Sequence, residues 1–161
     1  MKKELAHIRL LLVFFMVALF MSGLTAIPLE TELEILQRLF PSGATGYWFN
    51  RVYEGLSYIN VHHPFLGYGY DWLAFAHFVL AILFIGPYRD PVRNKWIIEF
   101  GMIACILIIP FAIVAGHFRS IPLGWQLIDC SFGVFGLVPL SIVRSKIRRI
   151  ENHQHIINQT T

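Results

Sequence analysis

Four ionisable side chains, His77, Glu99, His117 and Asp129, sit inside runs of apolar residues, and Asp71 and Arg119 sit at the edges of such runs. A charged side chain at the centre of hydrocarbon costs about 2.5–3.5 kcal/mol on insertion scales, so each is a candidate for function. A histidine beside a carboxylate and a guanidinium can move protons near neutral pH. His117, Arg119 and Asp129 flank one short connection, Ser120-Ile-Pro-Leu-Gly124, and form the candidate catalytic set for acid/base work on an apolar substrate. Asp71, His77, Gln126 and Glu54 are the candidate ligand contacts. His62 and His63 could close over such a pocket, and Ser22 and Thr25 could add hydrogen bonds.

Other chemistries are disfavoured by spacing. His77 lies ten residues before Pro87, and His117 lies 21 residues after Trp96. At ~1.5 Å per helical residue the two differ in height by about 16 Å, so they cannot share one haem iron or one metal ion. His62 and His63 are adjacent and point apart in regular structure, so no metal site is expected. No phosphate-binding P-loop, no GxGxxG opening a helix, no HExxH and no GxSxG is present. The two cysteines, Cys105 and Cys130, lie in apolar runs, where a thiol acts as a small hydrophobe. No cofactor is named by any motif.

The elements that must position these groups follow from composition. The chain of 161 residues is 56% hydrophobic and 14% charged, with a mean hydropathy of +0.59. A soluble domain carries about 25% charged residues, so much of this surface should face something other than water. Apolar segments at about 8–27, 71–87, 96–118 and 125–143 approach the ~20 residues needed to cross ~30 Å of hydrocarbon. The expected fold is an all-α membrane protein, a four-helix transmembrane bundle formed as one domain. The 28–70 segment is an outer loop. Leucines at 29, 33, 36 and 39 alternate with acids at helical spacing until Pro41 and Gly43, and an aromatic-rich stretch from Tyr47 to Tyr58 follows. The pattern predicts two short interfacial helices between the first and second spans, able to cap the bundle.

Ten of the 13 basic residues fall on one side of these spans: Lys2, Lys3, Arg9, Arg89, Arg93, Lys95, Arg144, Lys146, Arg148 and Arg149. Arg38, Arg51 and Arg119 fall on the other. The basic side is expected to be cytoplasmic, with both termini and a tail at 144–161 inside a bacterial inner membrane. Residues 1–26 also resemble a cleavable signal peptide, but Leu24 at the −3 position is a poor fit. The sequon at Asn158 falls in the cytoplasmic tail and is discounted.

Structural roles compete for the same residues. Glu99 can form an ion pair with Arg93, with Lys95 and Arg144 also in reach, and tie the bundle at its inner end. Pro110 leaves the carbonyl of Ile106 without its helical partner, and a His77 ring N–H at the same height could satisfy a group near that kink. Gln126, Asp129, Gly133 and Gly136 follow three- and four-residue spacing, which would turn Asp129 toward protein, with Arg119 as its first partner. The expected function is a binding or accessory component holding a lipid, quinone or partner helix. Its partners would be membrane lipids, with a hydrophobic small molecule or another membrane protein, and no nucleic acid. The alternative is a membrane-embedded enzyme using the His/Asp/Arg set. In helix count and size the chain resembles several four-span families, among them sterol-isomerase-like bundles and small quinone-linked membrane proteins, with no motif shared residue by residue.

Overall fold

The computed structural model describes the backbone of residues 2–160 and the side chains of residues 3–153 and 156. The side chains of the Asn158 sequon therefore lie outside the described residues. Every described element is helical: α1 Lys2–Thr25, α2 Leu29–Leu39, α3 Gly43–His62, a 3-10 turn at Pro64–Gly67, α4 Tyr68–Leu83, α5 Ile85–Arg89, α6 Lys95–Phe118 and α7 Leu123–Thr160. Four stretches are long and apolar enough to cross a membrane: Lys3–Thr25, Pro64–Arg89, Lys95–Phe118 and Leu123–His153. The chain divides into two compact units, one of Met1–Met16 with Ile82–Thr161 and one of Val17–Ala81.

In the first unit, α6 and α7 form an antiparallel pair. The face of α7 that meets α6 carries Gln126, Cys130, Gly133 and Leu140 and continues through Val143, Ile147 and Ile150, all buried. These positions repeat every three or four residues, the period that keeps one face of a helix on its neighbour. Gly133 is required by the approach of the backbones. A methyl group there would collide with the Cys105 carbonyl and the Ile108 side chain. The Cys130 thiol reaches the Ile109 carbonyl at 3.7 Å. Phe84 packs on Phe15 with centroids 4.8 Å apart.

Two details refine the expected spans. The second apolar run lies within the candidate span Pro64–Arg89 but is interrupted at Phe84, where α4 ends at Leu83 and α5 restarts at Ile85. Pro87 has no N–H for the carbonyl four residues earlier, that of Leu83, and the break falls there. The 144–161 segment continues α7, which runs unbroken for 38 residues. No Gly or Pro follows Pro139, and Val143, Ile147 and Ile150 carry the buried stripe onward. At 1.5 Å per residue α7 is about 57 Å long, well beyond ~30 Å of hydrocarbon.

In the second unit, the end of α1 meets α4 through Phe20 and Phe78, with centroids 5.0 Å apart. Helix α2 lies against α3, with Leu33 and Phe49 buried. The unit is tied by a chain of hydrogen bonds. The Tyr70 hydroxyl on α4 donates to Asn60 Oδ1 on α3 at 2.7 Å, and Asn60 Nδ2 donates to Glu30 Oε2 on α2 at 2.7 Å. One amide thus joins three helices. Asn60→Leu should lower stability by about 2 kcal/mol, because it leaves a partly buried phenol and carboxylate without partners. Hydrogen exchange is the check: α2 and α3 should lose protection while α6 and α7 keep theirs.

Candidate functional site

The candidate site is the turn that joins α6 to α7. It ends α6 with two crossed bonds, Ile121 N–H to the Gly116 carbonyl at 2.9 Å and Ser120 N–H to the His117 carbonyl at 3.2 Å. This is a Schellman closure, which needs a left-handed residue just past the helix, and Ser120 fills it with φ 54°. Pro122 then prevents helix from continuing. Gln126 secures the turn from α7: its side chain is buried against Gly116, and Nε2 donates to the Ile121 carbonyl at 2.8 Å. Gln126 is thus committed to holding the connection, and a ligand would have to displace that bond.

His117, Arg119 and Asp129 are all exposed, and among the described residues no hydrogen bond or ion pair joins any two of them. The ring of His117 makes an edge contact with Phe118, with centroids 5.9 Å apart. Asp129 does not take Arg119 as a partner. The reason lies in the helix seam. Gln126, Cys130 and Gly133 face α6, and residue 129 sits ~60° to one side at 100° per residue. Gly133 and Gly136 both approach Cys105 of α6, as the glycine spacing leads one to expect, but one turn earlier it is Cys130 and not Asp129 that is buried.

The second unit holds the remaining candidates. His77 Nδ1 bonds to the Leu73 carbonyl at 2.8 Å, one turn back in α4, so that nitrogen is taken by its own helix. His62 behaves the same way, with Nδ1 on the Tyr58 carbonyl at 3.0 Å and its ring stacked on Tyr58 at 4.2 Å. Thr25 bonds to the Ser22 carbonyl at 3.1 Å. Asp71 and Glu54 are exposed and make no side-chain bond among the described residues. No three His, Cys, Asp or Glu side chains converge as a metal site among the described residues.

The polar groups that do converge are at the opposite end of the α6–α7 pair. Glu99 pairs with Arg144 Nε at 2.7 Å and not with Arg93. Glu151 takes Lys95 at 2.6 Å, and Glu4 takes Lys146 at 2.6 Å. Arg144 Nη1 lies 3.8 Å from Glu151 Oε2, beyond hydrogen-bond reach, and is buried without an acceptor. Lys95, Glu151, Arg144 and Glu99 thus form one linked set between α6 and α7, and the separate Glu4–Lys146 pair ties α1 to α7 at the same end. Arg93 instead uses its backbone N–H, which donates to Asp90 Oδ1 at 3.0 Å to close the turn before α6. Sequence distance favoured Arg93 as the partner of Glu99, but the antiparallel pairing of α6 with α7 brings Arg144 to the same level.

These features define a class: an all-helical chain with four apolar helices, polar side chains bonded partly within their own helices and partly across helices, and a set of ion pairs at one end. Compared with known proteins, the chain matches no family model, no curated sequence and no solved structure.

Proposed function

We propose that this is a four-span integral protein of a bacterial inner membrane that binds a lipid, quinone or partner helix as an accessory component. The observation that carries the reading is the surface of its four apolar helices. Only 17–33% of the residues in their most apolar windows are buried within the chain. Large side chains such as Phe14, Phe75, Leu107, Phe111 and Phe135 are more than half exposed. Monomeric proteins in water rarely expose apolar patches beyond a few hundred Å². Lipid or other helices must therefore cover these faces.

The ion pairs and the Arg89–Lys95 turn lie at the cytoplasmic end in this reading, with both termini inside. Helices α2 and α3 lie along the outer surface. The enzyme alternative lacks a supporting contact, because no hydrogen bond or ion pair joins His117, Arg119 and Asp129 among the described residues and Gln126 is engaged. Native mass spectrometry of protein ejected directly from membranes tests the binding role. A bound lipid, quinone or second polypeptide surviving detergent removal is the expected result. A bare monomer in every preparation would refute it.

A further inference from the structure

We propose that the arginines Arg9, Arg89 and Arg93 form a binding cleft for a phosphate-bearing anion at the end of the molecule that holds the ion pairs. They come from α1, the end of α5 and the turn before α6, and line one open cleft of about 430 Å³ together with Leu5, Asp90 and Ile150. That volume falls within the roughly 300–1,000 Å³ of small-molecule sites. All of these residues belong to a single compact unit.

What sets these arginines apart from the other bases at this end is that they line the cleft together and have no carboxylate partner there. Lys95, Arg144 and Lys146 each have a glutamate partner. Arg89 and Arg93 have no carboxylate partner among the described residues, and neither does Arg9. The one acid in the cleft, Asp90, already accepts the Arg93 N–H. Three guanidiniums thus face a single carboxylate that is partly engaged. Their mutual repulsion is a standing cost that an anion would relieve. Arg9 is held in place by its Nε on the Tyr88 carbonyl at 3.3 Å and by the Tyr88 ring, 5.7 Å from its guanidinium carbon. That leaves its two terminal nitrogens for a ligand. Guanidinium forks match phosphate oxygens in pairs. Basic clefts at the cytoplasmic ends of membrane helices suit anionic headgroups, and Leu5 and Ile150 offer apolar walls for the start of an acyl chain.

The inference rests on the membrane reading for one source of the phosphate, a lipid headgroup. The other source is a soluble phosphate compound. The full chain is reconstituted in phosphatidylcholine nanodiscs, with or without one-tenth phosphatidylglycerol, and lipids retained after ejection are counted by native mass spectrometry. In parallel, inorganic phosphate is titrated into the phosphatidylcholine-only sample. Wild-type protein should retain phosphatidylglycerol in preference to phosphatidylcholine. R9Q/R89Q/R93Q should lower that preference about tenfold or more. R89Q/R93Q, which leaves the Arg9–Tyr88 contact intact, should lower it by a smaller factor. R148Q/R149Q removes two charges at the same end and should change it less than twofold. Saturable phosphate binding lost in the cleft variants would also support the cleft, with a soluble ligand as its source. Equal loss in R148Q/R149Q, or no preference and no phosphate binding by wild type, would overturn it. Correct insertion in those samples would leave the membrane reading standing.

Discussion

Gly133→Leu is expected to cost about 3 kcal/mol of folding free energy, the upper end of what overpacking a close-packed core costs. At Gly133 the first added carbon already meets the Cys105 carbonyl and Ile108. One of those obstacles is backbone in the middle of α6, which cannot rotate away. The helices would have to separate along the whole seam, weakening the Cys130–Ile109 contact and the packing of Leu140. Gly133→Ala should show a smaller loss of the same sign. Gly55→Ala is the control: nothing lies within 4 Å of a side chain there, and α3 gains from a better helix former. Reversible unfolding in mixed detergent micelles gives the comparison. A Gly133→Leu protein within 0.5 kcal/mol of wild type would show that α6 and α7 do not pack as described.

Arg144→Ala should have the next largest effect, about 2 kcal/mol. Full burial of an ion pair makes loss of one partner cost about 3–5 kcal/mol, while exposed pairs contribute about 0–1 kcal/mol. The Arg144 side chain is 29% exposed and Glu99 is 45% exposed, which places the pair between those limits. Removing the guanidinium leaves Glu99 without a cation and takes a neighbour from Glu151. Arg144→Met retains the apolar stem and also ends the burial of an unbonded Nη1, so it should recover part of the loss. Glu99→Gln combined with Arg144→Met should be less damaging than the sum of the two changes. Strict additivity across that double-mutant cycle would contradict a direct pair. The wild-type advantage should also shrink in 1 M salt, where charges are screened within about 3 Å.

The boundaries of the elements were legible to different degrees, for physical reasons. Helix α6 begins and ends within a residue of expectation, because its apolar run is flanked by Lys95 and Arg119. Leu29–Leu39 was readable from leucines at helical spacing and from the breakers Pro41 and Gly43. Helix α7 was not, because overall hydropathy falls after Val143 while the buried stripe continues. Ile147 and Ile150 stand among Arg144, Lys146, Arg148 and Arg149, and only their three- and four-residue spacing marks the helix as packed. Charge alone suggested a basic tail beyond the fourth span.

Side-chain partners were harder to read than spans. Neighbours across a helix pair depend on which stripe faces inward, and Gly133 fits two stripes equally well. Cys130 was the available arbiter, since a cysteine one turn after Gln126 extends the seam and turns position 129 aside. The Tyr70–Asn60–Glu30 chain left no trace in the sequence. Its members are 10 and 30 residues apart, on helices whose packing no local pattern specifies. His77 and His62 illustrate the opposite case. Each satisfies Nδ1 at the carbonyl four residues back in its own helix, a local bond that its position in the sequence did not suggest.

The most direct test of the four-span reading is a set of reporter fusions at residues that the four apolar helices should place on alternate sides of the bilayer. Alkaline phosphatase fused after Asn50 and after Ser120 should be active, and fused after Arg93 and after Arg149 it should be inactive. Green fluorescent protein at the same four positions should give the reverse pattern. Phosphatase activity at Arg93, or fluorescence at Asn50, would contradict a basic cytoplasmic end. The lipid-facing arginine cleft would then lose its inner-leaflet setting.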